Sequence, residues 1–227
     1  MNDEAKRRAA RAAISEVQGK VIGLGSGSTA RLFVEELARH LIAAGTIQDV
    51  RGVPSSESTR DLAARLGIAL LDDEGPWDID VNVDGADEVS ATLDVIKGGG
   101  GAHAREKIVN FAARRNVIIV DASKMSTRLG ERFPVPIEVT PFGHRTTAGH
   151  LSRYGEPRLR LRDGGAVRTD GGNLLYDLVV RPITDPSALD VALRGVPGVV
   201  ETGLFVGRAD VVLVAEDDGV RKLTQTR

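Results

Sequence analysis

The chain has 227 residues, with 30 Lys and Arg against 32 Asp and Glu, 26 Gly, five Phe, two Tyr, one Trp and no Cys. Without Cys there is no disulfide framework, zinc–thiolate site, iron–sulfur cluster or thiolate nucleophile. A net charge of −2 and few aromatic rings offer no polyanion-binding or base-stacking surface, so no nucleic-acid partner is expected.

Residues 1–17, MNDEAKRRAARAAISEV, read as an amphipathic helix with Ala5, Ala9, Ala12 and Ala13 along one side. They contain no apolar core of a secretory signal, and no run of about 18 apolar residues occurs anywhere, so the expected location is the cytoplasm, with no membrane partner. Val21–Leu24 is a short apolar strand running into Gly-Ser-Gly-Ser-Thr. Over Ala30–Ala44, the spacing of Leu32, Phe33, Leu37 and Leu41 predicts a helix with one buried face, closed by Gly45. Val50–Val53 is a strand ending at Pro54. Ser55 or Ser56 caps a helix to Arg65, and Gly67 ends it. Strands at Ile68–Leu71 and Ile79–Val83, a helix at Glu106–Arg115 and a strand at Val117–Val120 complete a βαβα rhythm. That rhythm predicts a mostly parallel sheet covered on both faces.

After about residue 130 the pattern changes. Phe133–Val139 is a strand whose Pro134 and Pro136 predict an edge position. A helix at Thr146–Tyr154, strands at Arg158–Leu161 and Leu174–Val180, a helix at Pro186–Leu193 and a strand at Val199–Val206 give the order β-α-β-β-α-β. Val211–Val214 is placed back in the first sheet. The expected fold class is α/β, with a Rossmann-like, mostly parallel sheet domain (1–130 with 206–227) and a small ferredoxin-like α+β domain (131–205).

Three segments carry candidate chemistry. Gly23–Ala30 joins a strand to a helix, and its backbone N–H groups and Ser26, Ser28 and Thr29 suit a phosphate cradle. A tight turn with a Ser/Thr cap is the alternative. Gly25–Ala30 fits a relaxed G-x-G-x-x-A dinucleotide pattern, but the second strand ends in Pro-Ser-Ser and not in an acidic residue; Asp49 sits at its wrong end. A small phosphorylated metabolite is therefore the expected ligand. Asp84-Gly85-Ala86-Asp87-Glu88 follows a strand at its carboxyl end. It reads as acid/base or hydroxyl-binding work, as a magnesium site, or as a solvated acidic turn. Lys97 precedes Gly98–Gly101, four glycines costly to order, and Glu106 opens the next helix. A lysine with a carboxylate suits enediolate chemistry, the ammonium stabilising an oxyanion while the carboxylate moves a proton. A flexible loop with a Glu complementing the helix dipole is the plainer reading. His103, lying with His40, His144 and His150 outside any metal spacing, is read as structural or solvated and not as a catalytic base.

Together these segments resemble the ribose-5-phosphate isomerase type A family. The resemblance runs over nearly the whole chain. It covers the loop at 23–29, Ser55-Ser56, DGADE at 84–88, IKGGGGA and REKI within 96–108, Asp121–Lys124, Phe133–Glu138, Thr169-Asp170 with Gly172-Asn173, Pro197–Val200 and Gly203–Phe205. It implies an isomerase interconverting ribose 5-phosphate and ribulose 5-phosphate through an enediolate, in the non-oxidative pentose phosphate pathway, with no cofactor or metal. Matched by position, Glu106 is the base moving the proton between C1 and C2, and Lys97 stabilises the oxyanion. Asp84 and Asp87 hold and protonate sugar oxygens, with Asp84 helping ring opening. Ser26, Ser28, Thr29 and Lys124 bind phosphate, and Gly27, Gly98, Gly99 and Gly100 complete the substrate-binding set. Family members usually form dimers or tetramers, so a homo-oligomer is implied. Gly171, His103 and Glu57 depart from the family pattern. The rival readings are a non-enzymatic sugar-phosphate sensor and an acyl-CoA-transferase-like protein on a similar fold.

Overall fold

Ile22 and Leu24 alternate with Val21 and Gly23 along the first strand, and this alternation separates the two faces of the main sheet. In the computed structural model, which describes residues 3–225, the chain forms two compact units. Of the described residues, unit 1 comprises 3–85, 105–123 and 208–225, and unit 2 comprises 86–104 and 124–207. Met1, Asn2, Thr226 and Arg227, at the ends of the expected large domain, lie outside the described residues.

The helices are α1 (Asp3–Ala13), α2 (Gly27–Ala44), α3 (Glu57–Arg65), α4 (His103–Ala112), α5 (His144–Leu151) and α6 (Pro186–Arg194). The strands begin with β1 (Val21–Leu24), β2 (Arg51–Pro54), β3 (Ala69–Leu70), β4 (Val81–Gly85), β5 (Glu88–Val89), β6 (Val95–Ile96), β7 (Asn116–Asp121) and β8 (Val135–Val139). They continue with β9 (Glu156–Leu159), β10 (Leu161–Arg162), β11 (Gly165–Ala166), β12 (Leu174–Val179), β13 (Val199–Thr202), β14 (Leu204–Phe205), β15 (Val211–Ala215) and β16 (Val220–Thr224).

Unit 1 is a seven-stranded sheet in the order β16-β15-β7-β4-β1-β2-β3, parallel except for the β15–β16 hairpin. Ile22, Leu24, Val81, Val83, Val117, Ile119, Val211 and Leu213 face one way and bury with α1, α2 and Ala63 of α3. On the other face Val109 of α4 packs with Val53 and Ile79. The chain leaves β1 for β2 on one side and returns to β4 on the other. The carboxyl ends of β1 and β4 thus flank the point where sheets of this kind bind ligands. Helix α2 starts at Gly27, three residues before the apolar periodicity, because small and hydroxyl residues suit a first turn. Gly45 ends it in a left-handed conformation, φ 70°.

Unit 2 contains a four-stranded antiparallel sheet in the order β13-β8-β12-β9, following the β-α-β-β-α-β order of the sequence. Its core holds Val135, Ile137, Val139, Leu151, Tyr176, Leu178 and Leu193. The expected edge position of the Pro-interrupted strand is not observed, since β8 lies between β12 and β13. The Pro136 carbonyl accepts the Gly203 N–H at 2.7 Å. Its ring nitrogen therefore faces the side on which β13 has already stopped at Thr202, so no ladder hydrogen bond is lost there. The expected strand Val199–Val206 is split at Gly203 into β13 and β14. β14 joins β6 and β5 in a separate three-stranded sheet, and this pairing gathers 86–104 with the small unit. Among the described residues no helix is long and apolar enough to cross a membrane.

Candidate active site

The expected site residues belong to both units. On unit 1, the phosphate-loop candidates Ser26, Gly27, Ser28 and Thr29 form the turn from β1 into α2. Ser26 is the N-cap residue, but its side chain does not cap the helix; its Oγ lies 2.7 Å from Ser55 Oγ. Ser55 is fully buried and donates to the Leu24 carbonyl at 3.1 Å. The first turn of α2 has no acidic residue, so no side chain of the helix itself answers its positive end.

A buried lysine meets this turn. Lys6 of α1 is only 6% exposed, and its Nζ donates to Ser28 Oγ at 2.9 Å. No motif marks Lys6 in the sequence. Its signal was present, because Lys6 stands in the same helical stripe as Ala9, Ala10 and Ala13, all buried, where an ordinary surface lysine does not belong.

Asp84 is the penultimate residue of β4 and is 1% exposed. One carboxylate oxygen accepts N–H bonds from Ser26 at 3.0 Å and Gly85 at 2.7 Å. A Cβ on Gly25 would lie 2.2 Å from that oxygen, so the loop packs on the carboxylate only because residue 25 has no side chain. Glu106 lies in the first turn of α4, 5% exposed, where the helix dipole favours a negative charge. The preceding Arg105 pairs with Glu57 of α3 at 2.6 Å, which holds the Glu57 carboxyl below the usual range. The departure at Glu57 thus has a partner beside the base candidate.

On unit 2, Lys97 follows β6 and is 3% exposed. Its backbone N–H donates to Gly203 at 2.9 Å, and its Nζ stands 5.7 Å from the Phe205 ring centroid. Asp87 accepts the Gly99 N–H at 2.7 Å, joining the acidic box to the glycine run. Gly98 has φ 107°, and a Cβ there would meet the buried His103 ring at 2.6 Å. His103 Nε2 lies 3.2 Å from the Glu201 carbonyl, in keeping with its structural reading. Gly100 is exposed, and Lys124 is half-buried at the end of a short 3-10 turn.

The third carboxylate of the acidic box has a separate task. Glu88 is fully buried and accepts from Gly130 N–H at 2.9 Å, Arg132 N–H at 3.0 Å, Phe133 N–H at 3.2 Å and Ser126 Oγ at 2.6 Å. It organises the 126–133 loop. Among the described residues no group of three or more His, Cys, Asp or Glu is placed to hold a metal ion.

The family model described as ribose 5-phosphate isomerase A (phosphoriboisomerase A) matches residues 51–219. A ribose-5-phosphate isomerase A of Caulobacter sp. strain K31 is 47% identical over 228 residues, covering 97% of this chain and 98% of the relative. The solved ribose 5-phosphate isomerase A of Methanocaldococcus jannaschii superposes with a TM-score of 0.93 at 41% identity, covering 99% of this chain and 100% of that one. A D-ribose-5-phosphate isomerase solved in complex with phospho-erythronic acid gives a TM-score of 0.94 at 38% identity, with the same coverage. This chain therefore belongs to the ribose 5-phosphate isomerase A family.

Proposed function

We propose that the chain interconverts D-ribose 5-phosphate and D-ribulose 5-phosphate through an enediolate. Family membership along the length of the chain carries this reading. The uncapped start of α2 with its buried Lys6, and the buried Glu106 and Lys97, supply the chemistry it needs. The open-chain aldose carries on C2 a proton acidified by the C1 carbonyl. The Glu106 carboxylate takes that proton while the C1 oxygen becomes an oxyanion, which the Lys97 ammonium stabilises. Return of the proton to C1, with transfer of the hydroxyl proton from O2 to O1, gives the ketose. Asp84 and Asp87 hold and protonate sugar oxygens, Asp84 during ring opening. The phosphate sits on Ser26, Gly27, Ser28 and Thr29 with Lys6 and Lys124, and Gly98, Gly99 and Gly100 line the sugar.

The compound in the solved relative supports this chemistry. Phospho-erythronic acid combines a phosphate, a hydroxylated chain and a carboxylate, whose planar, anionic carbon resembles the planar carbon centre of an enediolate. We further propose that the enzyme acts in the cytoplasm as a homodimer or homotetramer.

A coupled assay with ribose 5-phosphate tests the reaction, and binding without turnover would favour the sensor reading. Glu106→Gln is expected to lower kcat by about 10²–10⁴-fold, the usual contribution of a general base, with an unchanged melting transition. Near-normal turnover in that variant would remove Glu106 from the mechanism.

A further inference from the structure

Four consecutive glycines lose more conformational freedom on ordering than any other tetrapeptide, so a rigid Gly98–Gly101 loop needs an external restraint. Arg160, one residue beyond β9, supplies it within unit 2. Its Nη1 donates to the carbonyl oxygens of Gly98 at 2.9 Å and Gly99 at 3.0 Å. The other edge of the guanidinium forks onto Asp177 of β12, with Nε to Oδ2 at 2.9 Å and Nη2 to Oδ1. The Arg160 backbone is held too, donating to Leu175 at 2.8 Å and accepting from Val167 at 3.0 Å. The pair is shielded, with 14% and 23% side-chain exposure.

In a trans peptide the C=O and N–H point in opposite directions. Drawing the Gly98 and Gly99 carbonyls onto one nitrogen therefore turns the N–H groups of Gly99 and Gly100 the other way. The Gly99 N–H reaches Asp87 on that side. We propose that Arg160, locked by Asp177, is a positioning residue that aims the Gly100 N–H and, through the Gly99 N–H, the Asp87 carboxylate at the sugar oxygens. The inference rests on the isomerase reading. The task suits Arg and not Lys, because only a planar fork can hold a carboxylate on one edge and two carbonyls with its remaining nitrogen.

The test is Arg160→Met, Arg160→Lys and Asp177→Asn in the full chain, read by kcat, KM, thermal melting and amide exchange over 97–102. Arg160→Met is expected to lower kcat by on the order of 10- to 100-fold. It should also speed exchange at 97–102 while leaving β12 protected. Arg160→Lys should recover little of this, and Asp177→Asn should show the same pattern more weakly. A folded Arg160→Met with wild-type exchange at 97–102 and kcat within about twofold overturns the proposal. If Arg160→Met loses its cooperative melt, Asp177→Asn decides by the same criteria. A wild-type protein inactive on ribose 5-phosphate would defeat the isomerase reading alone, and the exchange measurement would still decide whether Arg160 orders the loop.

Discussion

A buried ammonium is tolerated only where polar groups or an anion answer it. Lys6 has Ser28 Oγ at 2.9 Å and the Asp3 carboxylate at 3.8 Å, and it stands beside the start of α2 proposed to hold the phosphate. A hydrogen bond to a charged group contributes about 1.5–3 kcal/mol. Lys6→Met is therefore expected to raise KM for ribose 5-phosphate roughly 10- to 100-fold with little change in kcat, measured by steady-state kinetics. Lys124→Ala should act in the same direction and less strongly, since that residue is half-buried. An unchanged KM would remove either residue from the phosphate site. Gly25→Ala tests the packing of the loop on Asp84. Its methyl group would overlap the Asp84 carboxylate, so activity should fall even if the protein folds. The identity of Glu106, Lys97 and the glycine run is visible in the sequence because their types and spacing are unusual. Lys6 is not distinguished there by any motif, only by a charge in an alanine stripe.

At the level of elements, Asp80 shows how one side chain sets the start of a strand. Its carboxylate accepts the N–H groups of Val21 at 3.0 Å and Lys20 at 2.8 Å, and these bonds hold its pKa below the usual aspartate range. A group depressed in the folded state contributes stability above its unfolded pKa, and that contribution disappears as pH falls through the folded value. Asp80→Asn should thus cost about 1–2 kcal/mol at neutral pH by denaturant titration. The gap from wild type should close below about pH 4. Some helix ends were legible from local chemistry, but α2 and α4 begin three residues before the expected starts at Ala30 and Glu106. Ser56 caps α3 through the Thr59 N–H, and Asp185 caps α6 through the Ala188 N–H. The place of β8 was not legible, because Pro136 is harmless only where β13 has stopped, and that depends on a strand more than sixty residues away.

For the molecule as a whole, the carboxylates of the acidic box are engaged by N–H donors: Asp84 by Ser26 and Gly85, Asp87 by Gly99, and Glu88 by Gly130, Arg132 and Phe133. Donors directed at these oxygens occupy lone pairs that a cation would need. Turnover is expected to persist in excess chelator; loss reversed by magnesium would instead assign Asp84 and Asp87 to a metal. Light scattering of the purified chain should give the mass of a dimer or tetramer. Periodicity and turn residues were enough for the helices, the main strands and the α/β class, because those properties depend on neighbours within a few residues; the short strands β5, β6, β10 and β11 and the last strand β16 carry too little pattern to be read that way. The tertiary structure alone brought Lys6 to Ser28, closed Arg160 on the glycine loop and turned Glu88 to structural work. Each of those contacts joins residues 22 to 62 positions apart or gathers donors from a whole loop, and no local pattern encodes such a meeting.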